Sequence, residues 1–152
     1  MAFEQMLTDI RLELRHASIR PVYRVATDRR RVATRSGIHE DMGVVTGLDN
    51  LHQAVFMRLL TPLGELSPLG HPEYGSRLHE LIGEGNTETR RNLARLFILQ
   101  ALQQEERIQE VAGVEIALDP AHREGVRVTL RVRPAGETEV VRIGPFVLEL
   151  ES

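Results

Sequence analysis

The sequence predicts an α+β fold, with helices packed on a C-terminal antiparallel sheet and a short strand-rich N-terminal segment. Two changes of apolar period predict it. From Leu48 to about Ile108 apolar residues recur every three or four positions, the spacing of helices that bury one face. From Val111 onward they recur every second position, the spacing of half-buried strands, and before residue 43 only short alternating stretches occur. The 152 residues suit one unit, read as an arm (1–43), a helical core (47–111) and C-terminal strands (112–150). A globular chain of this size buries roughly 68 to 70% of the surface its unfolded form exposes, so it needs no disulfide or metal staple.

In the arm, Asp9 to Leu14 alternates Ile10, Leu12 and Leu14 with Arg11 and Glu13, as a half-buried strand does, and Pro21 to Ala26 reads as a second strand. A helix is expected over about 49–60, capped by Asp49, with Leu48, Leu51, Val55 and Leu59 on its inner face and Pro62 ending it. Thr61 to Ser76 holds three prolines and three glycines and reads as a structured turn region. Ser76 then caps a short helix that buries Leu78, Leu81 and Ile82 and ends at Gly83. The longest helix opens at Asn86 or Thr87. Its apolar stripe is Leu93, Leu96, Phe97, Ala101 and Ile108, widened by Ile98, Leu99 and Leu102.

In Gly125 to Arg133 the even positions Val126, Val128, Leu130 and Val132 face a core, which leaves Arg127, Thr129, Arg131 and Arg133 on an open face. A turn over Pro134 to Glu137 leads to a strand over Thr138 to Ile143. After Gly144-Pro145, a pair suited to a bulge or an edge, Phe146, Leu148 and Leu150 alternate in a final strand at the rim.

Composition narrows the chemistry. Cysteine is absent, which excludes a disulfide framework, a thiolate zinc site and a cysteine nucleophile. No basic region followed by an apolar run opens the chain, and no stretch reaches the apolar length of a membrane span. All 19 basic residues are arginine, against 22 acids, for a net charge of -3. The one dense basic cluster, Asp28 to Arg35, lacks interleaved aromatics, zinc ligands or a helix-turn-helix pattern, and reads as a solvated strand or protein-contact arm. The six histidines show no HExxH spacing, and His39-Glu40-Asp41 reads as a solvated loop. Ser18, Ser36, Ser67 and Ser76 lie outside GxSxG and SxxK. Gly83 to Gly85 lacks the preceding strand and lysine of a phosphate loop, and reads as a helix end and restart.

One segment breaks a local rule. Glu105 and Glu106 fall in the last turns of the long helix, at the end whose dipole disfavours negative charge. If that helix runs to Ile108, Glu105 and Arg107 are two residues apart and cannot pair with each other, so each needs a partner elsewhere or stands solvated at a fraying end.

The stretch GLDNLHQAVFMRLLTPLGELSPLGHPEYGSRLHELIGE, residues 47 to 84, resembles the signature of the gene-25-like baseplate wedge proteins of contractile phage tails. Relatives of that family include the E component of type VI secretion baseplates and wedge proteins of extracellular contractile injection systems. The matching elements are the helix after Gly47, RLLTPLGE at 58 to 65 and PEYGSRL at 72 to 78. Further on, ALQQEERIQEV at 101 to 111 is similar to the family's ALxxEPRI block. The resemblance spans about Asp9 to Leu150 and is strongest over 47–111.

The resemblance implies a non-enzymatic structural part of a baseplate that needs no cofactor, metal, nucleic acid or membrane. Such a protein is assembled in the bacterial cytoplasm into a virion tail or injection particle. The family's Glu-Pro-Arg triplet, associated with docking onto the helical core bundle of neighbouring wedge proteins, falls on Glu105, Glu106 and Arg107, with Glu106 in place of the proline. The chain would join the wedge to the tube and hub, while strands at 126–133 and 138–150 would be extended by the first sheath subunits. Arg127, Arg131 and Arg133 would meet acidic sheath or wedge surfaces. The alternative is a lysozyme-like peptidoglycan hydrolase, a label some relatives carry; no carboxyl pair here is marked for it by spacing.

Overall fold

A computed structural model of the chain describes residues 9–10, 12–14, 23–25, 27–31, 38–42, 44–83, 85–121 and 125–149. Six short strands pair antiparallel near the start: β1 (Asp9–Ile10) with β6 (Val44–Val45), β2 (Leu12–Leu14) with β3 (Tyr23–Val25), and β4 (Thr27–Arg31) with β5 (Ile38–Met42). The side chains of Ile10 and Leu14, those of His39, Glu40 and Asp41, and those of the Asp28–Arg35 cluster lie outside the described residues.

Helix α1 (Gly47–Leu60) starts two residues before the expected position, with Thr46 at the cap position and Gly47 at a positive φ of 61°, a conformation that glycine adopts freely. Asp49 sits in the first turn rather than at the cap, where it still faces the positive end of the helix. Pro62 forces Thr61 into extended backbone and ends the helix, and the Thr61 hydroxyl donates to the Met57 carbonyl at 2.6 Å. The inner face is Leu51, Val55 and Leu59, all buried as the spacing predicts.

The turn region after α1 is closed at its neck. The Leu63 N–H donates to the Ser76 carbonyl at 2.9 Å, the Ser76 N–H to the Thr61 carbonyl at 2.8 Å, and the Ser76 hydroxyl to the Leu59 carbonyl at 2.5 Å. Ser76 therefore ties the loop to α1. The Ser76 hydroxyl also accepts from the Leu78 N–H at 3.3 Å, but the next element is a 3-10 turn (Leu78–Leu81) rather than an α-helix, with Leu78 and Leu81 buried. Gly75 makes the closure possible. A Cβ there would lie 2.5 Å from the Thr61 carbonyl oxygen, and its φ of +113° is one that side chains resist.

Helix α2 (Glu88–Gln103) is capped by Thr87, whose hydroxyl accepts from the Arg90 N–H at 3.3 Å. Its buried face is Ala94, Phe97, Ile98, Ala101 and Leu102, a stripe turned from the expected one. Leu96 points outward and is 47% exposed, because the two alanines let the other side of the helix approach the core closely. The helix ends at Gln103, five residues short of Ile108, which already belongs to a strand.

That strand, β7 (Ile108–Leu118), pairs antiparallel with β8 (Gly125–Pro134), which pairs antiparallel with β9 (Val141–Glu149). Both helices pack on one face of this three-stranded sheet. β8 alternates as predicted, with Val126, Val128, Leu130 and Val132 fully buried, each contributing about 2 kcal/mol of apolar burial. The Glu137 N–H donates to the Pro134 carbonyl at 3.1 Å and closes the expected turn, residues 138–140 lie outside the strand, and β9 runs unbroken from Val141 past Gly144 with a register shift opposite Val128 to Leu130. β9 does lie at the rim, as expected of Gly144-Pro145.

Gly75→Ala should cost about 3 kcal/mol in urea denaturation, since backbone oxygens stand where the Cβ would go. Gly70→Ala, at φ +85° with open space around it, should cost about 1 kcal/mol. Equal costs would show that the neck is not a tight constraint.

Candidate functional site

With α2 ending at Gln103, residues 104–107 are free to turn, and the Ile108 N–H donates to the Glu105 carbonyl at 3.0 Å. That turn folds Arg107 back onto Glu105. The Arg107 Nε donates to Glu105 Oε1 at 2.7 Å, and its Nη2 donates to Oε2 at 3.3 Å. The expectation that the two cannot pair is thus overturned, because it assumed a continuous helix. A second cation arrives from α1, where the Arg58 Nε donates to Glu105 Oε2 at 3.3 Å. Arg58 in turn lies over the Tyr74 ring, its guanidinium carbon 4.6 Å from the centroid.

The carboxylate at the centre is 5% exposed and Arg58 is 9% exposed, while Arg107 is half-buried. Burial pushes the Glu105 carboxyl upward, but the hydrogen bonds and charge of Arg107, together with the charge of Arg58, outweigh it and hold the group below its usual range. Two arginines on one carboxylate leave one formal positive charge. Glu106, beside them, is exposed.

Two clefts open beside the cluster and share Pro72, Glu73 and Gln104. One, of about 350 Å³, is lined by Arg58, His71 and Tyr74. The other, of about 370 Å³, is lined by Leu63, Arg77, Phe97 and Gln100. Arg77 stacks over Phe97 at 4.6 Å and holds Glu80 through two hydrogen bonds of 2.8 Å.

The open-face arginines lie elsewhere, on the sheet surface away from the helices. Arg127 pairs with the buried Asp119 at 3.2 Å, Arg133 pairs with Glu110, and Arg131 stands 3.6 Å from Glu115. Arg142, which sequence reasoning passed over, lies directly opposite Arg131 on β9. Arg58 and Tyr74 were also passed over as site residues. An arginine set among Val55, Leu59 and Leu60 on a buried helix face was the available signal, since a charge there requires a partner.

Among the described residues no three His, Asp or Glu side chains are placed to hold a metal ion, and no helix is long and apolar enough to cross a membrane. Compared with models of known protein families and with curated proteins, the chain finds no match.

Glu105→Gln should destabilise the fold by about 3 kcal/mol, because it leaves Arg58 buried without an anion. The folded carboxyl has a lower pKa than the unfolded one, so its contribution is complete above the ordinary value near 4.5 and is lost as pH falls through the folded value. Chemical denaturation across the acid range should show a shallower pH slope for the Gln variant than for the parent chain; matching slopes would contradict the paired carboxylate.

Proposed function

We propose that this chain is a structural baseplate component of a contractile tail or injection system, of the gene-25-like kind. One observation carries the reading. The three sequence blocks that resemble that family, RLLTPLGE, PEYGSRL and ALQQEERIQEV, supply Arg58, Tyr74 and the Glu105–Arg107 pair, which meet in one cluster. Blocks that are far apart in the chain and meet in one buried cluster, with Arg107 and Glu106 at its outer side, fit a common docking role.

In this reading Glu105 is internal and sets the direction of Arg107, and a neighbouring wedge protein would meet Glu106 and Arg107 at the surface. The sheet suits strand addition at β9. β8 is paired on both sides and has no free edge, and the Arg95 Nε of α2 already donates to the Val114 carbonyl of β7 at 3.1 Å. The N-terminal strands would serve as an arm toward other wedge or tube proteins. The hydrolase alternative needs a buried carboxyl held protonated as general acid, and the environment of Glu105 acts in the opposite direction.

Glu106→Arg reverses a surface charge without touching the buried pairs. Its thermal unfolding should match that of the parent chain, while the share of contractile particles carrying it falls roughly tenfold, the equivalent of about 1.4 kcal/mol of docking energy. Incorporation equal to the parent's would remove the cluster from the docking surface. Deleting β9 would be a poor test of sheath initiation, since Ile143, Phe146 and Leu148 are buried in the core.

A further inference from the structure

We propose that the cleft between the turn region and α2 takes a basic segment of a partner protein, an apolar side chain entering the cleft and an arginine or lysine meeting Glu73 at its rim. The inference stands on the cleft and the charges around it, and does not depend on the baseplate reading.

The cleft has an apolar wall on each side. Leu63 and Pro72 come from the turn region, and Phe97 and Ala101 from α2. Leu63 is 45% exposed although its backbone is fixed, its N–H donating to the Ser76 carbonyl across the loop neck. An apolar side chain held in water by a tied backbone can be covered by a partner with little further ordering. At about 370 Å³ the space lies near the small end of the range for ligand pockets, room for an anchoring side chain.

Its polar lining suits a polypeptide. Gln100 and Gln104 stand one turn apart along α2 and its C-cap, both exposed, and neither side-chain amide bonds another described residue. Each amide carries donors and an acceptor, the complement of a peptide's carbonyl and N–H.

Charge makes the segment a basic one. The three arginines of the turn region and the junction are already engaged, Arg58 and Arg107 on Glu105, and Arg77 on Glu80. Glu65, Glu73 and Glu106 are exposed and pair with no other described residue. Five glutamates against three arginines make this surface negative, and Glu73 lines both clefts, so an unpaired carboxylate stands where they meet. A basic segment gains from that field and an acidic one is repelled.

The test is NMR titration of the full chain, following the side-chain amide signals of Gln100 and Gln104 and the methyl signals of Leu63. The probe is a capped peptide alternating Leu and Arg, with the Thr-for-Leu and Glu-for-Arg peptides as comparisons. The Leu-Arg peptide alone should move the cleft signals, while the methyl signals of Leu118, exposed at the far end of β7, hold still. Glu73→Gln should weaken binding roughly fivefold, the size of an exposed charged contact. Leu63→Gln should weaken it roughly tenfold through lost apolar burial, with urea denaturation showing that both variants fold like the parent chain. Equal binding of either comparison peptide, equal movement at Leu118, or no movement of the cleft signals would each overturn the proposal. So would the same signals moving with protein concentration alone, which would put a second copy of this chain in the cleft.

Discussion

The fold turns on a single carboxylate. Glu105 sits at the point where α2 has ended and β7 has not begun, and it is held by one arginine from α1 and one from its own turn. Removing a charge from water costs several kcal/mol unless it is paired and hydrogen-bonded, so the position of Glu105 constrains everything that must reach it. Arg58 has to lie on the inner side of α1, Arg107 has to fold back, and Tyr74 covers the outer face of Arg58. A hydrophobic plug of the same volume would stabilise the junction as well or better. It would not fix the direction of Arg107 at the surface.

The closed turn region depends on the same junction. Tyr74 stands next to Gly75 and Ser76, whose hydrogen bonds and tight backbone approach tie the loop neck to the end of α1. The neck presents Tyr74 to Arg58, and Arg58 reaches Glu105. Local backbone constraint, side-chain stacking and ion pairing thus form one chain of contacts running from α1 through the turn region to the start of the sheet. The sheet itself is held by apolar burial along β8, on the face opposite its arginines. The open-face arginines are therefore physically separate from the helix-to-strand junction and the clefts beside it.

Much of the secondary structure was legible from residue spacing, because period is a local property. The inner face of α1 and the alternation of β8 come directly from it. The errors lie where tertiary contact overrides the local pattern. Apolar spacing in α2 permits a stripe through Leu96, but close approach at Ala94 and Ala101 turns that residue outward. Nothing in QQEERIQE marks Gln103 as a helix end; the buried pairing of Glu105 with two arginines favours the turn, and one of those arginines is 47 residues away. Arg142 could not be placed opposite Arg131 without the register, which the bulge near Gly144 shifts by a residue. The resemblance located the segments that meet at the site, whereas their meeting is a property of the fold.

The most direct measurement is to sediment contractile particles from cells that produce this chain and quantify it against the sheath protein by mass spectrometry. A baseplate component that starts the sheath sits at one end of the tail while the sheath repeats along it, so a fixed, low, substoichiometric ratio is predicted. Complete absence from intact particles would contradict the proposed baseplate role.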